Sequence, residues 1–120
     1  MGYIRRNAIV VTSWHSGAAK AAAQQACDIG MMVLGPSDKA VNGYSSMLVC
    51  PDGSKEGWIE SNTGDKQRKE FREWLETQRF EDRSSNLEWV EISYGSDDRE
   101  ATIVASAWMA QNDPMREESQ

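Results

Sequence analysis

The segment Ala8-Ile9-Val10-Val11-Thr12-Ser13-Trp14 is nearly repeated by Thr102-Ile103-Val104-Ala105-Ser106-Ala107-Trp108. Both are rich in β-branched residues and both end in tryptophan, so both read as strands. In phase, they put Val10, Thr12 and Trp14 on one face, and Val104, Ser106 and Trp108 on the equivalent face. A half-polar strand face that ends in large aromatics is either an interface or a ligand platform. The repeat also requires a sheet that holds the two ends of the chain.

Between these strands the periodicity changes twice. His15-Ser16-Gly17 opens an alanine-rich helix over residues 17–29, with Ser16 as its N-cap and Gly30 as its stop. Ala18, Ala22, Ala26 and Ile29 give it a small-residue face, suited to close packing on a sheet. Residues 31–34 are a short apolar run, broken by Gly35-Pro36-Ser37-Asp38, and residues 35–43 read as an exposed loop. Residues 44–50 form a strand, Pro51-Asp52-Gly53 a turn, and residues 57–60 the returning strand of a hairpin. The clearest helix covers residues 65–79, with Phe71, Trp74, Leu75 and Gln78 on one face. Opposite charges four apart, Asp65–Lys69, Lys66–Glu70, Lys69–Glu73 and Arg72–Glu76, make the rest a solvated surface. Residues 87–94 form a strand whose apolar phase shifts between Trp89 and Val90, a sign of a bulge or of two-sided burial. A turn at residues 95–100 leads to the last strand, residues 101–109.

The expected order is β-α-β-β-α-β-β. Its first six elements fit a ferredoxin-like α+β plan, to which the seventh adds a strand. Both helices then cover one face of a mostly antiparallel sheet and leave the other open. If Ile9, Val11, Ile103 and Ala105 meet the helices, then Thr12, Trp14, Ser106 and Trp108 look out from the open face. That phase is preferred because Thr and Ser suit a wet surface, and these four residues are the candidate interface. One domain over residues 1–110 and a frayed polar tail over residues 111–120 complete the expectation.

Charge narrows the choice of partners. The 120-residue chain carries 13 basic and 19 acidic side chains, a net −6. Residues 1–83 are balanced, so the excess falls wholly in residues 84–120. Duplex nucleic acid needs a basic stripe, and none is visible. No stretch approaches the roughly 18 apolar residues of a membrane span. Met1-Gly2 lacks the Ser or Thr of a myristoylation signal, since Arg6 stands there. The expected compartment is the cytoplasm, that of a host cell if the protein is viral. Cys27 and Cys50 have no CxxC spacing and read as reduced, small core residues.

Chemistry is sparsely marked. The loop Thr12-Ser13-Trp14-His15-Ser16-Gly17, followed by Lys20, runs from a strand into a helix N-terminus, where backbone amides and the dipole favour an anion. Trp14, His15, Ser16, Gly17 and Lys20 are therefore the candidate ligand-binding residues, although Ser16 as a cap and Trp14 as packing explain the same pattern. The phosphate-binding pattern GxxxxGK[ST] is absent. His15 is the single histidine, which excludes two-histidine phosphoesterases and multi-histidine metal sites. A Cys–His pair needs Cys27 or Cys50 beside His15. A triad through Ser13 or Ser16 lacks a GxSxG nucleophile signal. Asp97, Asp98 and Glu100, like Asp52 and Glu56, could meet a hard cation but read as solvated hairpin tips. No catalytic residue, metal or cofactor is assigned.

The runs Asn42-Gly43-Tyr44-Ser45-Ser46, Pro51-Asp52-Gly53-Ser54-Lys55-Glu56-Gly57-Trp58, Gly64-Asp65, Leu87-Glu88-Trp89-Val90-Glu91 and Tyr94-Gly95 give the chain a resemblance to short proteins encoded by tailed phages and prophages. The likeness runs from Met1-Gly2-Tyr3 to about Trp108 and carries no catalytic residues. It implies an accessory or counter-defence factor that binds a host protein or sequesters a small nucleotide-like signal. The residues themselves favour a non-catalytic, homo-oligomeric binding protein, most simply a dimer; a small anionic ligand is the alternative and a small hydrolase the further one.

Overall fold

The first strand, β1 (Arg5–Ser13), is the middle of the molecule. It is followed by α1 (Ser16–Ile29), β2 (Val33–Leu34), β3 (Ser45–Val49), α2 (Ile59–Thr77), β4 (Glu88–Gly95) and β5 (Ala101–Ser106). These come from a computed structural model that describes residues 5–38, 43–51, 59–78, 87–95 and 100–107. The strands form one sheet in the order β2-β3-β1-β4-β5, every neighbouring pair antiparallel. The fold is α+β, with two helices and a five-stranded sheet.

Alternation along β1 decides which side is covered. Ile9, Val11 and Ser13 are buried, and Ile9 and Val11 join one core with Ala22, Ala23 and Ala26 of α1 and Phe71 and Leu75 of α2. Met47, Val49 and Trp89 from the neighbouring strands complete it. Both helices therefore lie on the odd-numbered face of β1, the expected phase. Trp74 stacks on Phe71 with ring centroids 6.1 Å apart, as its place on the helix face requires.

Helix α1 ends as its sequence demands. Gly30 adopts φ +107°, the left-handed region that a side chain avoids. Its N–H donates to the carbonyls of Ala26 and Cys27, and Met31 N–H also donates to Ala26. These bonds satisfy carbonyls that a helix end otherwise leaves open. At the other end the helix starts one residue earlier than expected. The N-cap is His15 rather than Ser16, and it makes no side-chain capping bond.

The hairpin expected over residues 44–50 and 57–60 is not formed. Strand β3 pairs instead with the two residues of β2, Val33 to Val49 and Leu34 to Leu48. Ser37 holds the following loop against β3, its N–H donating to Ser46 O and its hydroxyl accepting from Ser46 N–H. Gly35 sits at φ +98°, where a Cβ would lie 2.9 Å from Ser46 O. The expected exposed loop is thus pinned at its first half. Ile59 and Glu60 belong to α2, which begins six residues before the predicted Asp65. Ser61-Asn62-Thr63-Gly64 has poor helix propensity, but tertiary contacts override it. Gly64 is buried, and Gln67 Nε2 donates to the carbonyl of Ile29 at the end of α1.

A buried carboxylate ties α2 to the sheet. Glu91 of β4 is buried on the helix side, where Arg72 donates to it and Arg68 Nε lies 3.8 Å away. Arg68, itself buried, also pairs with Asp65. The expected solvated role for Arg72 is corrected by this contact. A carboxylate in this position needs its cations, because an unpaired buried charge is costly. Glu91→Ala should lower stability by about 3–5 kcal/mol, measured by urea denaturation. Replacing Arg68, Arg72 and Glu91 together by Met, Met and Leu should recover most of that loss.

Candidate functional site: the uncovered sheet face

Antiparallel partners share a face, so the register builds the uncovered side row by row. One row runs Leu34–Leu48–Val10–Val90–Ser106 across all five strands. The next runs Ala8–Ile92–Ile103, with Ala8 itself buried. A polar row, Ser46–Thr12–Glu88, flanks them on one side, and Arg6–Tyr94–Ala101 on the other. Thr12 and Ser46 share a hydrogen bond of 2.8 Å between their hydroxyls. The face is therefore an apolar double row between polar margins. Leu34 is 60% exposed and Ile103 61%.

Several expected interface residues belong here. Thr12 and Ser106 lie on this face, both half-buried. Trp14 lies just beyond β1, 56% exposed, and its ring meets His15 edge-on at 5.8 Å. Trp108 and Trp58 lie outside the described residues. Contrary to the expectation that it meets the helices, Ile103 stands on the uncovered face. The reason is a register shift opposite Glu91 and Ile92, which leaves Val104 as an extra residue and reverses the phase of β5. Ala105, beyond the shift, packs against the core as expected.

The apolar double row was not read from the sequence as a unit. Its residues come from five strands, and the shifted β5 phase hid Ile103. A signal was present in β4, where Val90, Ile92 and Tyr94 keep an apolar alternation opposite to that of Trp89.

The other candidate region, the N-terminus of α1, is a surface. His15, Gly17 and Lys20 are exposed. Ser13 Oγ accepts from His15 N–H at 3.0 Å, and His15 O accepts from the amides of Ala18 and Ala19. These bonds organise the turn and place Trp14, His15 and Gly17 side by side, with Lys20 one helical turn beyond Ser16. A cavity of about 220 Å³ lies elsewhere, between the end of α1, the first half of α2 and the end of β3. Gly30, Met31, Val49, Cys50, Gly64 and Arg68 are among its lining residues.

The cysteines are both free, and Cys27 is exposed rather than a core residue, because Ala22, Ala23 and Ala26 take the buried side of α1. Among the described residues no group of three or more His, Cys, Asp or Glu is placed to hold a metal ion. Asp52, Glu56, Asp97 and Asp98 lie outside those residues, and Glu100 is exposed. No described helix is long and apolar enough to cross a membrane. No protein-family model, curated protein or solved structure matches the chain.

The two sides of the sheet should respond oppositely to charge. Leu48→Lys, on the uncovered face, should change stability by less than about 1 kcal/mol, whereas Val11→Lys should cost more than about 4 kcal/mol through an unpaired charge in the core. Thermal melts followed by circular dichroism compare the two.

Proposed function

We propose that this protein acts by binding, without catalysis, and that the uncovered sheet face is its working surface. The observation that carries this reading is the apolar double row centred on Val10, Leu48, Val90 and Ile92, which neither helix covers. Its central residues are half-buried and its ends, Leu34 and Ile103, exposed, and an apolar strip with polar margins is a common form of a protein interaction site. The phage resemblance supplies the context: an accessory or counter-defence factor of the host cytoplasm that occupies a host protein. The fold reading that accompanies it is a ferredoxin-like plan altered at its hairpin and extended by β5.

The test is co-purification from host cells, comparing the unaltered chain with two variants. Leu48→Lys should lose a specifically retained host protein. Glu70→Lys, on an exposed helical position, should retain it. Equal retention by both variants would move the working surface away from this face.

A second reading is favoured by the exposure of Trp14, which the packing alternative would have buried. It is capture of a nucleotide-like anion at Trp14, His15, Ser16, Gly17 and Lys20. If a mononucleotide binds there, Lys20→Ala should weaken it by about 1–3 kcal/mol, the scale of a lost charged hydrogen bond. Calorimetry with Lys20→Ala and Trp14→Ala decides, since unchanged affinity in both places the ligand elsewhere.

A further inference from the structure

The two edges of the sheet are unequal. Strand β2, at one edge, is two residues long and is followed at once by Gly35 and Pro36. Short length and proline are ordinary ways to stop an edge from recruiting another strand. Strand β5, at the other edge, has six residues and neither protection. Ala101, Thr102, Ile103 and Val104 are all exposed, with Ile103 and Val104 among the large apolar side chains left in water. Residues 101–112 contain no charged side chain. An edge like this is a template for backbone pairing.

We propose that β5 pairs antiparallel with β5 of a second copy, making a two-fold dimer with a continuous ten-stranded sheet. The proposal goes beyond the binding reading and gives a geometry to the homo-oligomer expected from the sequence. Two features select a second copy as the occupant. First, the register closes on itself. Ala101, Ile103 and Ser106 belong to the uncovered face, and Thr102 and Ala105 to the helix side, because their partners in β4 are Tyr94, Ile92, Val90, Ser93 and Glu91. A two-fold axis between Ile103 and Val104 sets Ala101 against Ser106 and Thr102 against Ala105, each pair on a common face. It leaves Ile103 beside the extra residue Val104. The register spans the length of β5, residues 101–106.

Second, charge favours self-contact here. The chain carries a net −6, with its acidic excess in residues 84–120, so most contacts between copies bring carboxylates together. The seam in this register, residues 101–106 of both copies, is uncharged. The axis is perpendicular to the sheet. Both helical layers therefore lie on one side, and the two apolar double rows join into a single face on the other.

Two measurements test the dimer and its geometry. Sedimentation across the micromolar range should give twice the chain mass. Ile103→Lys and Ile103→Glu should each weaken dimerisation at least about tenfold, through like charges across the axis, and mixing the two should restore it. In a Cys27→Ser/Cys50→Ser background, Thr102→Cys with Ala105→Cys should form a covalent dimer on mild oxidation, since directly opposed Cβ atoms lie within disulfide reach. Circular dichroism checks that each variant folds. A monomer at every concentration overturns the proposal. So does a dimer that fails to cross-link at 102 and 105, as stacked uncovered faces would, since these two positions then lie on the outer, helix side. That second result would leave the binding reading standing, whereas retention of a host partner by Leu48→Lys would remove that reading and leave the β5 seam intact.

Discussion

Among the described residues, α1 and α2 both lie on one face of the five-stranded sheet, and which face that is depends on a single strand. Strand β1 makes the choice. It is central, it pairs on both sides, and its side chains alternate between Ile9, Val11 and Ser13 on one side and Ala8, Val10 and Thr12 on the other. A slip of one residue would exchange the two sets. The branched, fully buried Ile9 and Val11 hold the register because their loss from the core would forfeit the contacts that α1 and α2 make. The proposed working surface is the side left over.

The position of α2 depends on a different kind of force. Phe71 and Leu75 give it an apolar stripe, which brings it to the sheet but does not fix its place along the strands. Glu91 does that. It occupies the row Val33–Val49–Ile9–Glu91–Ala105, among apolar neighbours, where Arg68 and Arg72 make a carboxylate tolerable. Apolar packing accepts many offsets of a helix, whereas this ion pair accepts few. Such a pair adds little net stability compared with a well-packed hydrophobic trio. Its contribution is to penalise every arrangement that would separate the charges.

That division explains what could be read from the sequence. The strands β1, β4 and β5, the helix α1 with its stop at Gly30, and the phase of β1 all follow from local period and local turn chemistry. Three features did not. The partner of β3 is a two-residue strand, too short to show a period, so the stronger turn signal at Pro51-Asp52-Gly53 drew the hairpin forward to residues 57–60. The early start of α2 lies in residues of low helix propensity, held by Gln67 reaching Ile29 and by the burial of Gly64. The partnership of Arg72 with Glu91 is invisible locally, because Arg72 and Glu76 form an equally good pair on paper. The candidate surface was legible to the same degree. Thr12 and Ser106 were placed on the correct face, while Ile103 was lost to a shift that only the β4–β5 pairing reveals.

The shift in β5 links the two surfaces that the protein offers. In an unshifted register Val104 would stand opposite Ile92 and Ile103 would turn toward the helices. With the shift, Ile103 ends the row at the last of the described strands and Val104 is exposed beside it. Face and edge thus become adjacent parts of one surface. A partner that pairs along β5 also extends the apolar row, so backbone hydrogen bonding and apolar burial reinforce each other at one place. The cost falls on the monomer, which keeps Ile103 and Val104 in water with no charge on β5 to deter association. Such an edge is tolerable only if association is self-limiting, and a two-fold seam is self-limiting because it uses up the long edge of the described sheet in each copy. The blunt β2 edge then caps both ends of the extended sheet.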